Sequence, residues 1–184
     1  MRLIHKNQKG FTLIELLIVV AIFAVVAVVT NAAIGQVVQS NRTSNHMVAV
    51  RQVQQAGYRV SLDALQAQSI TNSTVTGSRG FPLTLNWTTW EGGEFHKVVY
   101  YLNLTTTSGG LYQLQRQETV DGVNMPTTVV AQYIYFNTTS PSSTQCSWNV
   151  TTNSTTKVLT LNITARVGLE TESRTYEIKP RPSV

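Results

Sequence analysis

The chain has 184 residues, enough for one modest domain beyond a long helix. Its formal net charge is +5, but three basic residues lie before residue 10, and the remainder carries 11 Lys and Arg against 9 Asp and Glu, or +2. The remaining basic residues are scattered singly, so the charge gives no support to nucleic-acid binding and no nucleic-acid partner is expected.

The first predicted element is a membrane-spanning helix. Residues 11–29 are apolar except for Thr12 and Glu15, and residues 16–29 contain no polar side chain. At a rise of about 1.5 Å per residue, about 20 apolar residues cross the hydrocarbon core of a bilayer. Arg2, Lys6 and Lys9 precede this stretch, so the positive-inside rule predicts a cytoplasmic N-terminus and an external remainder.

Glu15 separates three interpretations of this segment. An ordinary secretory signal, cut near Ala32, disagrees with a carboxylate in the apolar core and with the helical pattern that continues past Ala33. A plain membrane anchor leaves Glu15 unexplained, because an ionisable residue inside a span is costly and points to a function. The third interpretation is a signal that is cut between Gly10 and Phe11, with the apolar helix retained.

The string from Gly10 to Ile22, GFTLIELLIVVAI, favours the third interpretation. It resembles the class III signal of type IV pilins and of type II secretion pseudopilins. The resemblance implies that prepilin peptidase cuts between Gly10 and Phe11, and that the new amine of Phe11 is N-methylated. It also implies a filament-assembly role for Glu15, the fifth mature residue, whose carboxylate would neutralise the N-terminal amine of a neighbouring subunit.

The helical pattern continues beyond the predicted membrane span. Pro82 is the first proline, and apolar residues keep helical spacing to about Ile70. Major pilins often have a proline at the position of Ala32, and its absence here disfavours a major pilin. We therefore expect four segments: a leader peptide at 1–10, a transmembrane half of the helix at 11–30, an amphipathic half at 31–70, and a β-rich globular head at 71–184.

Beyond residue 70, β-branched and polar residues alternate, which indicates strands. One long helix followed by such strands predicts an α+β fold, in which the helix packs on a C-terminal antiparallel β-sheet head, as in pilins. Residues 137–143 are predicted to form a loop. The predicted strands are 83–88, 98–104, 111–117, 129–136, a doubtful 148–151, 158–167 and 176–178.

The order of these elements resembles the J-type minor pseudopilin of type II secretion. This implies a non-enzymatic minor structural subunit, without a cofactor, that primes or caps a pseudopilus for protein export. It also implies a single-pass protein of the inner (cytoplasmic) membrane with its head in the periplasm or outside the cell. The implied partners are other major and minor pseudopilins or pilins, prepilin peptidase, an inner-membrane assembly platform and membrane lipid. The segments that carry the resemblance are Leu62-Asp63, Val98 to Leu102, Leu114 to Arg116, and Tyr176 to Arg181.

Two other functions are compatible with the same signal. One is a minor pilin of a type IV pilus, with a role in adhesion, motility or DNA uptake. The other is an independent membrane-anchored sensor or binding protein that has only the signal in common with pilins.

Candidate catalytic and metal-binding residues are few. His5, His46 and His96 show no metal-ligand spacing, so neither catalysis nor a metal site is predicted. Calcium binding by the Glu91 and Glu94 pair, or by the Glu170 and Glu172 pair, is a minor alternative.

The remaining signals have plain structural interpretations. Cys146, the only cysteine, cannot form an intrachain disulfide and is predicted to be an unpaired thiol. Trp87, Trp90 and Trp148 are predicted to be core or interface aromatics. Eight Asn-X-Thr triplets are formal glycan acceptors, and they also fit Asn and Thr alternating on exposed strand faces. They begin at Asn41, Asn72, Asn86, Asn103, Asn137, Asn149, Asn153 and Asn162.

Overall fold

The computed structural model describes residues 11–104, 110–140, 143–149 and 157–180. The chain divides into two compact units, Met1–Thr43 and Ser44–Val184. The described part of the first unit is helical apart from residues 11 and 12. The second unit contains the remainder of the same helix and all nine described strands.

Helix α1 extends from Leu13 to Gln66, four residues short of the end near Ile70 that the sequence predicts. The helix ends there because the backbone turns to pair with the sheet. The amide of Gln68 donates to the carbonyl of Asn86 at 2.9 Å, and Ile70 lies within the first strand. The helix is continuous through Ala32, where major pilins often have a proline.

The strands form one curled antiparallel sheet in the order β1-β2-β3-β4-β6-β8-β7, with β5 paired to β4 and β9 paired to β8. The α+β prediction is confirmed, and the strands predicted around residues 83–136 and 158–167 are present. β1 and β5 are not predicted by the alternation pattern, and β7 and β9 begin earlier than predicted. The bounds are β1 Ser69–Ser73, β2 Gly80–Thr88, β3 Phe95–Leu104, β4 Leu111–Val120, β5 Val123–Asn124, β6 Thr128–Tyr135, β7 Gln145–Asn149, β8 Val158–Val167 and β9 Glu170–Ile178.

The core of the head lies between one face of the helix and one face of the sheet. The helix contributes small side chains at a spacing of three and four residues, which places them on one face. Tyr176 packs over this helix, since a Cβ added at Gly57 would lie 2.1 Å from the tyrosine ring, and its hydroxyl donates to the carbonyl of Val53 at 3.2 Å. The fully buried residues of this helix face are Ala49, Val53, Ala56, Val60 and Ala64.

The sheet curls so that β7 meets the beginning of β2. The amide of Cys146 donates to the carbonyl of Arg79 at 2.9 Å, and the Cys146 thiol donates to the carbonyl of Gly80 at 3.0 Å. Only glycine fits at position 80, because a Cβ there would lie 1.9 Å from the carbonyl oxygen of Cys146 and φ is +87°. The close approach of these two backbones closes the core on that side.

Candidate functional site

The helix begins with a capping box formed by Thr12 and Glu15. The amide of Thr12 donates to Oε2 of Glu15 at 2.9 Å, and the amide of Glu15 donates to Oγ1 of Thr12 at 3.3 Å. The Thr12 hydroxyl also donates to Oε2 of Glu15, at 3.0 Å. Ser or Thr followed three residues later by Glu is the sequence signature of this cap, and it stabilises the first turn by satisfying free amides. Sequence reasoning missed this role although the signature is present.

An apolar surface follows the cap directly. The first part of the helix is unburied, and the helix is long and apolar enough to cross a membrane. Among the described residues this is the one candidate span. The large side chains between Leu16 and Val29 are all exposed. Such a surface requires lipid or other helices around it.

The predicted site residues lie at this helix start. Phe11 is exposed and immediately precedes the capping threonine, and Glu15 lies within the first turn. Gly10 lies outside the described residues.

A second polar cluster lies inside the head and connects the helix to the sheet. Asp63, in the last turn of α1, accepts from Nε of Arg116 at 2.7 Å and from the hydroxyl of Tyr100 at 2.5 Å. Arg116 also donates through Nη1 to Glu118 at 2.7 Å, and Glu118 contacts Nδ1 of His96 at 3.0 Å. Asp63 and Arg116 are 5 % and 6 % exposed, so this is a buried ion pair with its hydrogen bonds satisfied.

The cluster holds its members in defined charge states. Burial opposes the charge of Arg116, but the hydrogen bonds and charges of Asp63 and Glu118 outweigh it and raise its pKa. Burial, together with the negative charge of Asp63, raises the pKa of Tyr100. Partial burial tends to raise the pKa of Glu118, but the hydrogen bonds from Arg116 and His96 lower it below its ordinary value. At neutral pH the guanidinium and the Glu118 carboxylate are therefore charged, and the phenol is protonated.

The geometry of this cluster supports a structural role. Both oxygens of Asp63 face donors from β3 and β4, and the ring of His96 stacks on Trp87 with centroids 5.3 Å apart. Within the described ranges no group of three or more His, Cys, Asp or Glu could hold a metal ion. Sequence reasoning used Asp63 and Arg116 only as parts of a resemblance and did not pair them.

The comparison with family models bears on the helix start and on no other part of the chain. Residues 5–30 match the model of the prokaryotic N-terminal methylation motif. The chain carries a prepilin-type signal. Together with the long apolar helix and the antiparallel head, this fits a type IV pilin-like protein, a class that includes pseudopilins. Neither the comparison with curated proteins nor that with solved structures gave a match.

The motif indicates how such proteins are processed and what they assemble with. Proteins with a prepilin-type signal are structural subunits that assemble with other pilins after processing by prepilin peptidase. The N-terminal apolar helix is the single membrane anchor typical of pilins. The motif does not separate a pseudopilin from a minor pilin.

The remaining predicted features lie in the head. Cys146 is buried and unpaired, and burial raises the pKa of its thiol to about 12, which keeps it protonated. Trp87 is buried, Trp148 packs against the core, and Trp90 is fully exposed.

Two of the Asn-X-Thr asparagines bond to neighbouring strands. Nδ2 of Asn86 donates to the Ser69 hydroxyl at 3.2 Å, and Oδ1 of Asn162 accepts from the Ser173 hydroxyl at 2.9 Å. Both residues lie within strands, at β2 and β8, which fits the alternation of Asn and Thr along strands. Asn153 lies outside the described residues.

Proposed function

We propose that this chain is a minor structural subunit of a type II secretion pseudopilus and primes or caps the filament for protein export. In this proposal prepilin peptidase cuts between Gly10 and Phe11, and the Phe11 amine is N-methylated. The helix then stays in the inner membrane until the subunit enters the filament. The main support for the proposal is the capped helix start, where the Glu15 carboxylate lies in the first turn of an exposed apolar helix.

The bonding of the Glu15 carboxylate supports the assembly role that we propose for this residue. Both bonds from Thr12 reach the same oxygen, Oε2, and among the described residues no donor reaches Oε1. In an apolar surrounding, an incompletely paired carboxylate is costly. The N-terminal ammonium of a neighbouring subunit would supply a charge-assisted hydrogen bond to the open oxygen. Entry of a subunit into the helical bundle would thereby be coupled to charge neutralisation.

Fewer observations support the more specific assignment as a minor pseudopilin. The helix has no proline at Ala32, and a single cysteine cannot form the C-terminal disulfide loop that many pilins carry. Asp63 and Arg116, from two of the segments that resemble the J-type subunit, are in direct contact. A minor pilin of a type IV pilus is the second candidate, because it would carry the same motif.

The first experiment is mass spectrometry of the protein purified from its native membrane. The proposal predicts a mature chain that begins at Phe11 and carries one additional methyl group on its amine. A Gly10→Val variant is the matched control, since it should retain the leader. A mature N-terminus at any other residue would overturn the assembly role, because Glu15 would no longer be the fifth residue.

A deletion strain separates the two candidates. Loss of the gene should abolish export of secreted proteins and leave surface pili and motility intact. Loss of pili or motility with normal export would instead support the minor-pilin function.

A further inference from the structure

Five of the eight Asn-X-Thr triplets lie wholly within the described residues, and four of these five are in regular secondary structure or begin there. The triplet at 41–43 lies in α1, where side chains two residues apart do not face each other. Those at 86–88 and 162–164 lie in strands, where the backbone places alternate residues about 7 Å apart. The triplet at 72–74 begins within β1. Helix and strand backbone thus holds the threonine hydroxyl away from the asparagine amide.

The fifth triplet, residues 137–139, follows the end of β6, and here the threonine contacts the asparagine. Oδ1 of Asn137 accepts the backbone N–H of Thr139 at 2.9 Å and the hydroxyl of Thr139 at 2.8 Å. The amide of Asn137 donates to the Ser143 hydroxyl at 2.7 Å. The carbonyl of Thr138 accepts from Nη2 of Arg79 at 2.9 Å. Thr138 and Thr139 are exposed, so the triplet lies at the surface in a defined conformation.

The two bonds to Oδ1 favour a reaction at Nδ2 of Asn137. An amide nitrogen is a weak nucleophile, because its lone pair is shared with the carbonyl group. When Nδ2 loses a proton, negative charge develops on Oδ1. Two donors already in place on that oxygen stabilise the charge, as an oxyanion hole does. The side chain of Asn137 is therefore prepared for the reaction that the Asn-X-Thr pattern undergoes, attachment of a glycan.

An open, mainly polar pocket of about 350 Å³ lies beside the same asparagine. Nδ2 of Asn137 donates to the Tyr135 hydroxyl at 3.4 Å, and the guanidinium of Arg166 lies 5.9 Å from the centre of the Tyr135 ring. The rings of Tyr112 and Phe136, which also line the pocket, meet edge to face with centroids 5.3 Å apart. Aromatic rings beside polar groups suit a sugar, whose C–H face packs on a ring while its hydroxyls bond to a guanidinium or phenol.

We infer that Asn137 is an N-linked glycosylation site and that the first sugar of the glycan lies in this pocket. The sugar replaces one hydrogen of Nδ2, and the other hydrogen stays available to the Tyr135 hydroxyl. The inference goes beyond the proposed function and rests on it only for placing the head outside the cytoplasm.

The reaction needs an activated sugar, and we name its class as an oligosaccharide joined through its anomeric carbon to a lipid pyrophosphate. A bond forms between Nδ2 of Asn137 and the anomeric carbon as the bond from that carbon to the pyrophosphate oxygen breaks. The lipid pyrophosphate leaves with the bonding electrons. The proton of Nδ2 passes to a carboxylate of the transferase, and nothing is oxidised or reduced.

The first test is mass spectrometry of the protein purified from its native membrane and cut after aromatic residues. Cuts at Phe136 and Trp148 separate Asn137 from the other triplets. We expect the peptide 137–148 to carry the added mass of one or more sugars, and the peptides with Asn86 and Asn162 to be unmodified. An unmodified peptide 137–148, or equal occupancy of the two strand asparagines, would overturn the inference.

Neighbouring threonines supply a matched pair of variants. Thr139→Ala removes the hydroxyl donor to Oδ1 and should lower the occupancy of Asn137 about tenfold or more. Thr138→Ala keeps an Asn-X-Thr triplet and should leave the occupancy unchanged. Both threonines are exposed, so both variants should melt at the temperature of the parent. Equal occupancy in the two variants, or a sugar retained on the same peptide of an Asn137→Gln variant, would overturn the assignment.

The pocket contact is tested by enzymatic removal of the glycan. Removal should lower the melting temperature of the parent, because the sugar leaves the aromatic rings. In Arg166→Ala the decrease should be smaller, since the guanidinium no longer bonds to the sugar. Arg51→Ala, at an exposed arginine of α1, is the control and should show the full decrease. The same decrease in all three proteins would overturn the pocket contact.

The same mass spectra separate this inference from the proposed function, because they also report the first residue of the mature chain. A chain that begins at Phe11 and has no sugar on Asn137 would overturn the glycosylation alone. A glycosylated Asn137 in a chain that begins at another residue would overturn the processing alone. The Gly10→Val variant should retain its leader and still carry the glycan.

Discussion

The membrane-spanning half of the helix and the head satisfy their polar groups in different ways. At the helix start, Glu15 bonds to Thr12, three residues away, and the apolar side chains that follow are exposed. In the head, Asp63 bonds to Arg116, 53 residues away, and both are buried. The head therefore holds its own charges, whereas the helix start has a surface that other molecules must cover. The first region has the exposed surface that the proposed assembly requires, and the second has the buried contacts that stabilise the head.

The largest expected effect concerns assembly. Replacing Glu15 with alanine should lower the amount of subunit in sheared filaments on the order of tenfold or more, because a neighbouring ammonium would remain unpaired in an apolar surrounding. The membrane-bound amount should not change. Glu177→Ala, at an exposed carboxylate of β9, is the control and should enter filaments normally. Equal incorporation of the two variants would refute the pairing role of Glu15.

The next effect concerns the stability of the head. Asp63→Ala leaves Arg116 as an uncompensated buried charge and should lower the free energy of unfolding by about 3–5 kcal/mol. Urea unfolding followed by tryptophan fluorescence measures this. Arg174→Ala breaks the exposed pair with Glu172, whose atoms lie 3.2 Å apart, and should cost less than about 1 kcal/mol. Equal losses in the two variants would contradict the difference between buried and exposed pairs.

Two glycines of the same helix give a matched comparison of the regions. A Cβ at Gly57 would lie 2.1 Å from the Tyr176 ring, whereas nothing lies within 4 Å of one at Gly35. Gly57→Ala should destabilise the head by about 1–3 kcal/mol through overpacking. Gly35→Ala should favour the helix by about 0.5–1 kcal/mol and leave the unfolding of the head unchanged. A destabilised head in the Gly35 variant would contradict the separation of the two regions.

The smallest effect is a pH dependence of the head. The pKa of Glu118 is lowered in the folded state. The stability that Glu118 contributes is therefore fully present above its unfolded pKa, near 4.5. This stability is lost as the pH falls from 4.5 through the lower pKa of the folded state. Solvent reaches this side chain, so the loss should be at most about 1 kcal/mol. In the Glu118→Gln variant the melting temperature should depend less on pH below 4.5 than in the parent. The same pH dependence in both proteins would exclude a contribution of Glu118 to stability.

Local patterns explain what the sequence could predict. The membrane helix follows from an unbroken apolar run, and β8 follows from alternation of side chains, so neither depends on distant residues. β1 contains one large apolar residue, Ile70, and β5 has only two residues, so neither shows a period that a pattern could detect.

Long-range contacts explain what the sequence could not predict. Asp63 and Arg116 are single charges on different elements, and only the packing of helix on sheet brings them together. The Thr12 and Glu15 cap is different, since its signature is local and could have been found beforehand.

The position of the capping box bears on how the leader can be removed. The hydrogen bonds that begin the helix start at Thr12, whose amide, hydroxyl and carbonyl are all engaged. Hydrolysis of the bond between Gly10 and Phe11 would break none of them. If the chain is cut there, the first turn would therefore keep the same hydrogen bonds in the precursor and in the mature chain.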